Sequence, residues 1–128
     1  MHGPTMKILL GVGGSELSYQ ALTETLDRVA ETGDELTVAV FDNEDNDADL
    51  EAVQQRIQER IDESGLEPPI RRVEGTSPGS ELVNIAESEG FDRIVLGGGG
   101  RSPLGKIQLG PIVEFVLLNA QTPVTLIR

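Results

Sequence analysis

The residues of this sequence best suited to chemistry are glycines. Gly97, Gly100 and Gly110 have two and nine residues between them and stand directly after the apolar run Ile94-Val95-Leu96 and directly before the apolar stretch that starts near Ile112. Glycine lets backbone approach a phosphate without interference from a Cβ, and a helix start presents amide donors and the positive end of a dipole. The same spacing equally serves a tight turn and a helix start with no ligand. A second pair, Gly13-Gly14, ends the run Ile8–Val12 and precedes Ser15. The sequence holds one histidine, His2, so Ser15 has no base to activate it and reads as a helix cap rather than a nucleophile.

Other polar groups point less clearly to a ligand. Arg101 and Lys106 lie in the only basic loop and either offset phosphate charge or are simply solvated. The carboxylate run from Asp42 to Glu51 has the charge to attract a divalent ion, but it lacks the glycine and terminal glutamate of a calcium loop and reads as a solvated loop. Cysteine is absent, which removes disulfides, thiolate catalysis and thiolate metal sites. A single histidine also excludes histidine triads and metal sites needing more than one, and no metal site is expected.

Carboxylates outnumber basic residues 22 to 10, giving a formal charge of −12 and a pI near 4.3. Such a surface opposes sequence-independent contact with a phosphate backbone, so nucleic acid and anionic membranes are poor partners. The basic residues are mostly arginine, with Lys7 and Lys106 the only lysines. This balance resembles proteins of salt-loaded cytosols, in a halophilic prokaryote, where screening relieves the repulsion; an ordinary acidic cytosolic protein is the alternative. No apolar run approaches a membrane span and Met-His-Gly-Pro-Thr lacks the regions of a signal peptide, so the expected location is the cytoplasm.

The elements that must hold these residues follow from periodicity. A length of 128 residues suits one domain, here 6–128, with 1–5 as a flexible tail. Strands are expected at Ile8–Val12, Leu36–Phe41, Ile70–Val73, Ile94–Leu96 and Val124–Ile127. Between them, helical spacing joins Leu17, Ala21, Leu22, Leu26, Val29 and Ala30; then Leu50, Val53, Ile57 and Ile61; then Leu82, Val83, Ile85 and Ala86 behind a Ser77 cap and Pro78. The last helix, Ile112 to Leu118, is apolar over most of its circumference and is expected to be deeply packed. Alternation of strand and helix predicts an α/β fold: a single open parallel five-stranded sheet, order 3-2-1-4-5, with helices on both faces. Such sheets bind ligands beyond the carboxyl ends of strands where winding reverses, here between the two strands that empty into glycine turns.

From Met6 onward the chain resembles the universal stress proteins. The resemblance rests on Val-Leu-Gly-Gly-Gly-Gly-Arg-Ser-Pro-Leu-Gly-Lys, on Leu-Gly-Pro-Ile-Val-Glu-Phe-Val-Leu-Leu-Asn-Ala-Gln-Thr-Pro-Val, and on the first strand with Gly-Ser-Glu-Leu-Ser. It implies an adenine nucleotide alpha hydrolase-like fold and a site for ATP or a smaller adenine nucleotide, with magnesium only alongside the nucleotide. By position, the resemblance sets Val12 and Val40 against the base, Leu96, Gly97, Gly100 and Arg101 beneath sugar and phosphates, and Gly110 with Ile112 at the phosphate end. Two positions depart from the pattern. Gly13 stands in place of the family's aspartate, and Pro111 in place of a serine or threonine, so that a hydroxyl and an amide hydrogen are both missing. Pro111 is equally a good first helical residue.

The expected function is a nucleotide-responsive stress or regulatory protein with a partly degraded site and an unknown protein partner. The alternatives are a dimeric interaction module without nucleotide and, last, a slow ATP hydrolase, since no positioned base is evident. The resemblance also implies a homodimer through Val124–Ile127, with Val124 and Leu126 or Thr125 and Ile127 meeting their copies.

Overall fold

The computed structural model describes residues 5–42, 49–75, 77–98 and 110–128. The aliphatic and β-branched runs form β1 (Lys7–Val12), β2 (Glu35–Phe41), β3 (Ile70–Val73), β4 (Arg93–Gly97) and β5 (Val124–Ile127). All pairings are parallel and the order is β3-β2-β1-β4-β5, as the alternation of strand and helix predicts. Helices α1 (Glu16–Thr32), α2 (Leu50–Ser64), α3 (Pro78–Ser88) and α4 (Pro111–Asn119) make the crossovers.

Because strand side chains alternate between faces, each central strand feeds two cores. Ile8, Leu10 and Val12 of β1, with Val38, Val40 and Val95, pack beneath α1 and α2. Leu9, Ala39, Phe41, Ile94 and Leu96 pack beneath α3 and α4. The helices are therefore divided between the two faces.

Caps fix the helix ends. Ser15 accepts a hydrogen bond from the Ser18 amide at 3.1 Å, and Asp49 accepts from the Ala52 amide at 2.8 Å. Gly33 and Gly65 close α1 and α2 in the left-handed region, with φ of 76° and 78°. At the amino ends of the strands, Asp34 accepts from the Met6 amide at 2.9 Å and Asp92 from the Lys7 amide at 2.8 Å, tying β1 to the turns before β2 and β4.

Three expectations are corrected. Ala30 is exposed, because the buried stripe of α1 ends at Val29. Ser77 stands at the cap position of α3 but its side chain makes no capping hydrogen bond; its backbone lies at φ −132° and ψ 69° rather than in the usual extended geometry. Helix α4 is not deeply packed: Val113 and Val116 are buried, while Phe115, Leu117 and Leu118 are 40%, 38% and 76% exposed. With nine residues lying near one end of the sheet, α4 offers one stripe to β4 and α3, and among the described residues no further layer covers the other.

Candidate nucleotide site at the switch between β1 and β4

The sheet places β1 between β2 and β4, so the chain winds outward in opposite directions from the carboxyl ends of β1 and β4. There Gly11 is level with Leu96, and Val12 with Val40. The side chains of Val12 and Val40 are fully buried and that of Leu96 nearly so, so what these residues present at the strand ends is main chain. Gly100 and Arg101, like Lys106, lie outside the described residues.

The remaining glycines are glycines for different reasons. A Cβ on Gly97 would lie 2.1 Å from the Leu17 carbonyl oxygen and 2.7 Å from Ser18 Cα, so close passage of the first turn of α1 over β4 demands this glycine. A Cβ on Gly13 would meet the Phe41 ring at 2.6 Å and 2.9 Å. The phenyl ring of β2 occupies the volume an aspartate at 13 needs. Gly110, by contrast, caps α4 in extended geometry and a Cβ there would meet nothing within 4 Å.

Among the described residues, Gly110 therefore has nothing filling the space beside it before α4. Its carbonyl accepts the Glu114 amide at 2.9 Å, Pro111 occupies the first turn without an amide hydrogen, and the amides of Ile112 and Val113 have no partner in the helix. Two amide donors and the helix dipole favour an anion at this mouth. Glu114, exposed in the same turn, opposes one. That carboxylate escaped the sequence reading, although its place three residues after Pro111 was the available signal. At the opposite wall Gly14, with φ 93°, donates to Ser18 Oγ at 3.2 Å and Ser18 Oγ donates to the Ser15 carbonyl at 2.7 Å. Both serines are thereby committed to shaping the turn.

The profile of the universal stress protein family matches residues 4–128. The chain belongs to that family. A universal stress protein of Methanocaldococcus jannaschii is 33% identical over 73 residues, a match covering 57% of this chain and 42% of that protein, so less than half of that curated relative's length is spanned. Among solved structures, a universal stress protein from Archaeoglobus fulgidus superposes with a TM-score of 0.78 at 22% identity, covering 98% of this chain and all of the other. A second structure from that organism, described as a complex with dAMP, gives 0.70 at 19% identity over 96% of this chain and 98% of the other. These neighbours share the adenine nucleotide alpha hydrolase-like fold. Among the described residues of this family member, no helix is long and apolar enough to cross a membrane.

Proposed function

We propose that this protein is a nucleotide-responsive regulator of the stress-protein type, which takes ATP or a smaller adenine nucleotide weakly at the switch between β1 and β4 and thereby biases contact with a protein partner. The observation that carries the reading is that, among the described residues, nothing crowds Gly110 at the start of α4, where the amides of Ile112 and Val113 have no partner in the helix. The structural relative described with dAMP supports the ligand class.

The residues fit a phosphate only in part. Pro111 lacks the hydroxyl and amide that would add two donors, Glu114 sets a negative charge in the same turn, and Phe41 excludes an acidic side chain at 13. Each missing hydrogen bond to a charged group costs about 1.5 to 3 kcal/mol, or roughly one to two decades in affinity. Bound nucleotide supplies charge and an ordered surface rather than chemistry. A hydrolytic role ranks last for want of a base.

Calorimetry with Mg-ATP tests this. Wild type is expected to bind weakly and Pro111→Ser to tighten binding about tenfold or more. Submicromolar binding by wild type defeats the account of a degraded site, and absence of heat from both proteins favours the module without nucleotide. We also propose a homodimer through β5 and, from the net charge of −12, operation in a salt-loaded cytoplasm.

A further inference from the structure

A cavity of about 280 Å³ lies between α1 and the β1, β4 and β5 strands, on the face away from α3 and α4. On the central strands it is lined by Ile8 near the start of β1 and by Arg93 and Val95 in the first half of β4, and on β5 it extends to Ile127, level with Gly97; none of the strand-end residues Val12, Leu96 and Gly97 lines it. Met6, Ile8, Val95 and Ile127 give it an apolar lining.

The polar lining is unusual for so acidic a chain. Arg28 and Arg93 both reach the cavity, and among the described residues no carboxylate lies within ion-pair distance of either guanidinium. Arg93 donates to Thr125 Oγ1, which steadies it against the cavity wall. Thr25, only 6% exposed, also lines the space, and its hydroxyl makes no hydrogen bond among the described residues. Glu24 stands at the rim, exposed, within 3.5 Å of Gln20 Nε2 one turn earlier on α1.

We infer that this cavity binds a small monocarboxylate with an aliphatic body. The guanidiniums and the Thr25 hydroxyl supply donors for a carboxylate, and the aliphatic lining takes the chain. The volume lies near the lower end for ligand sites, about 300 Å³, which suits a body of a few carbons rather than a long acyl chain. A phosphate-sized dianion would bury more charge beside Glu24 and leave the apolar lining unused.

The test is a titration of the full ¹⁵N-labelled chain at fixed potassium chloride, with hexanoate, hexanol and hexylammonium as probes. Hexanoate is expected to shift the amides of Thr25, Arg28, Val95 and Thr125 saturably, with hexanol about tenfold weaker and hexylammonium silent. Arg28→Gln alters an exposed helix position, so the fold should survive; it should reduce hexanoate affinity several-fold while leaving hexanol unchanged. Thr25→Val, which keeps the shape and removes the hydroxyl, should do the same. Equal binding of hexanol and hexanoate, no saturable shift, or an Arg28→Gln variant that binds hexanoate like wild type would each overturn the assignment. Shifts at these amides that follow protein concentration and ignore hexanoate would assign the space to contact between copies instead, and would equally defeat it.

Discussion

At the scale of single residues, Gly13 and Phe41 form one unit. The backbone of Gly13 does not require positive φ, so the obstacle to a side chain there is the ring 2.6 Å from its ideal Cβ. Placing at position 13 the aspartate that the family resemblance implies is thus not a one-step change. Gly13→Asp alone is expected to destabilise the fold by about 1 to 3 kcal/mol through overpacking, with no gain in nucleotide affinity. Combining it with Phe41→Leu should recover part of that loss, because the smaller side chain frees the volume. A double-mutant cycle by urea unfolding should then show coupling of about 1 kcal/mol or more. Additive effects would mean that the two side chains do not compete for the same space. Gly97 carries the opposite lesson: its Cβ would strike the backbone of α1, which has no rotamer to yield, so no partner substitution rescues Gly97→Ala.

Among the elements, the contact of α1 with α2 turns on Tyr19, which is 3% exposed with the Arg56 guanidinium 4.1 Å and the Arg60 guanidinium 5.5 Å from its ring centre. Burial pushes the phenol pKa up, and the opposing pull of Arg56 does not cancel it. The folded chain therefore keeps this proton to higher pH than the unfolded chain does. Stability linked to Tyr19 is complete below the unfolded value, about pH 10, and is lost as pH rises towards the folded one. Thermal melts of Tyr19→Phe against wild type should converge or cross above that pH, and parallel curves would remove the effect. Since Tyr19 is the only tyrosine and tryptophan is absent, its phenolate absorbance gives the titration directly. The elements themselves were legible in the sequence, since apolar runs, glycine stops and caps are local signals; β3 and β5 match their expected bounds. What was not legible depends on residues distant in sequence: the α1 turn over Gly97, the Phe41 ring over Gly13, and the bare side of α4, whose apolar composition is the same whether or not a layer covers it.

For the whole molecule, charge and assembly meet at β5. Among the described residues this strand pairs only with β4, and its residues are half-buried, so its far edge offers backbone groups to another strand. The Ile94 and Gly98 amides donate to the Pro123 and Ile127 carbonyls at 2.9 Å and 3.0 Å, so odd-numbered residues turn their polar groups towards β4, and Val124 and Leu126 turn theirs outward. In an antiparallel pair about a two-fold axis, the exchanging residues are then Val124 and Leu126, and a proline at Thr125 would damage the monomer's own ladder instead. Each copy brings a net charge of −12, and the resulting repulsion extends over about 30 Å at 0.01 M salt but only about 3 Å at 1 M. Light scattering should accordingly find mostly monomer in dilute buffer and dimer in about 1 M potassium chloride, with the melting temperature rising over the same range. Val124→Pro removes one outward amide at the start of the strand, where proline is tolerated, and should lower the dimer fraction at high salt without unfolding the monomer. A dimer unaffected by that change would place the interface elsewhere, and a melting temperature indifferent to salt would remove charge repulsion from the account.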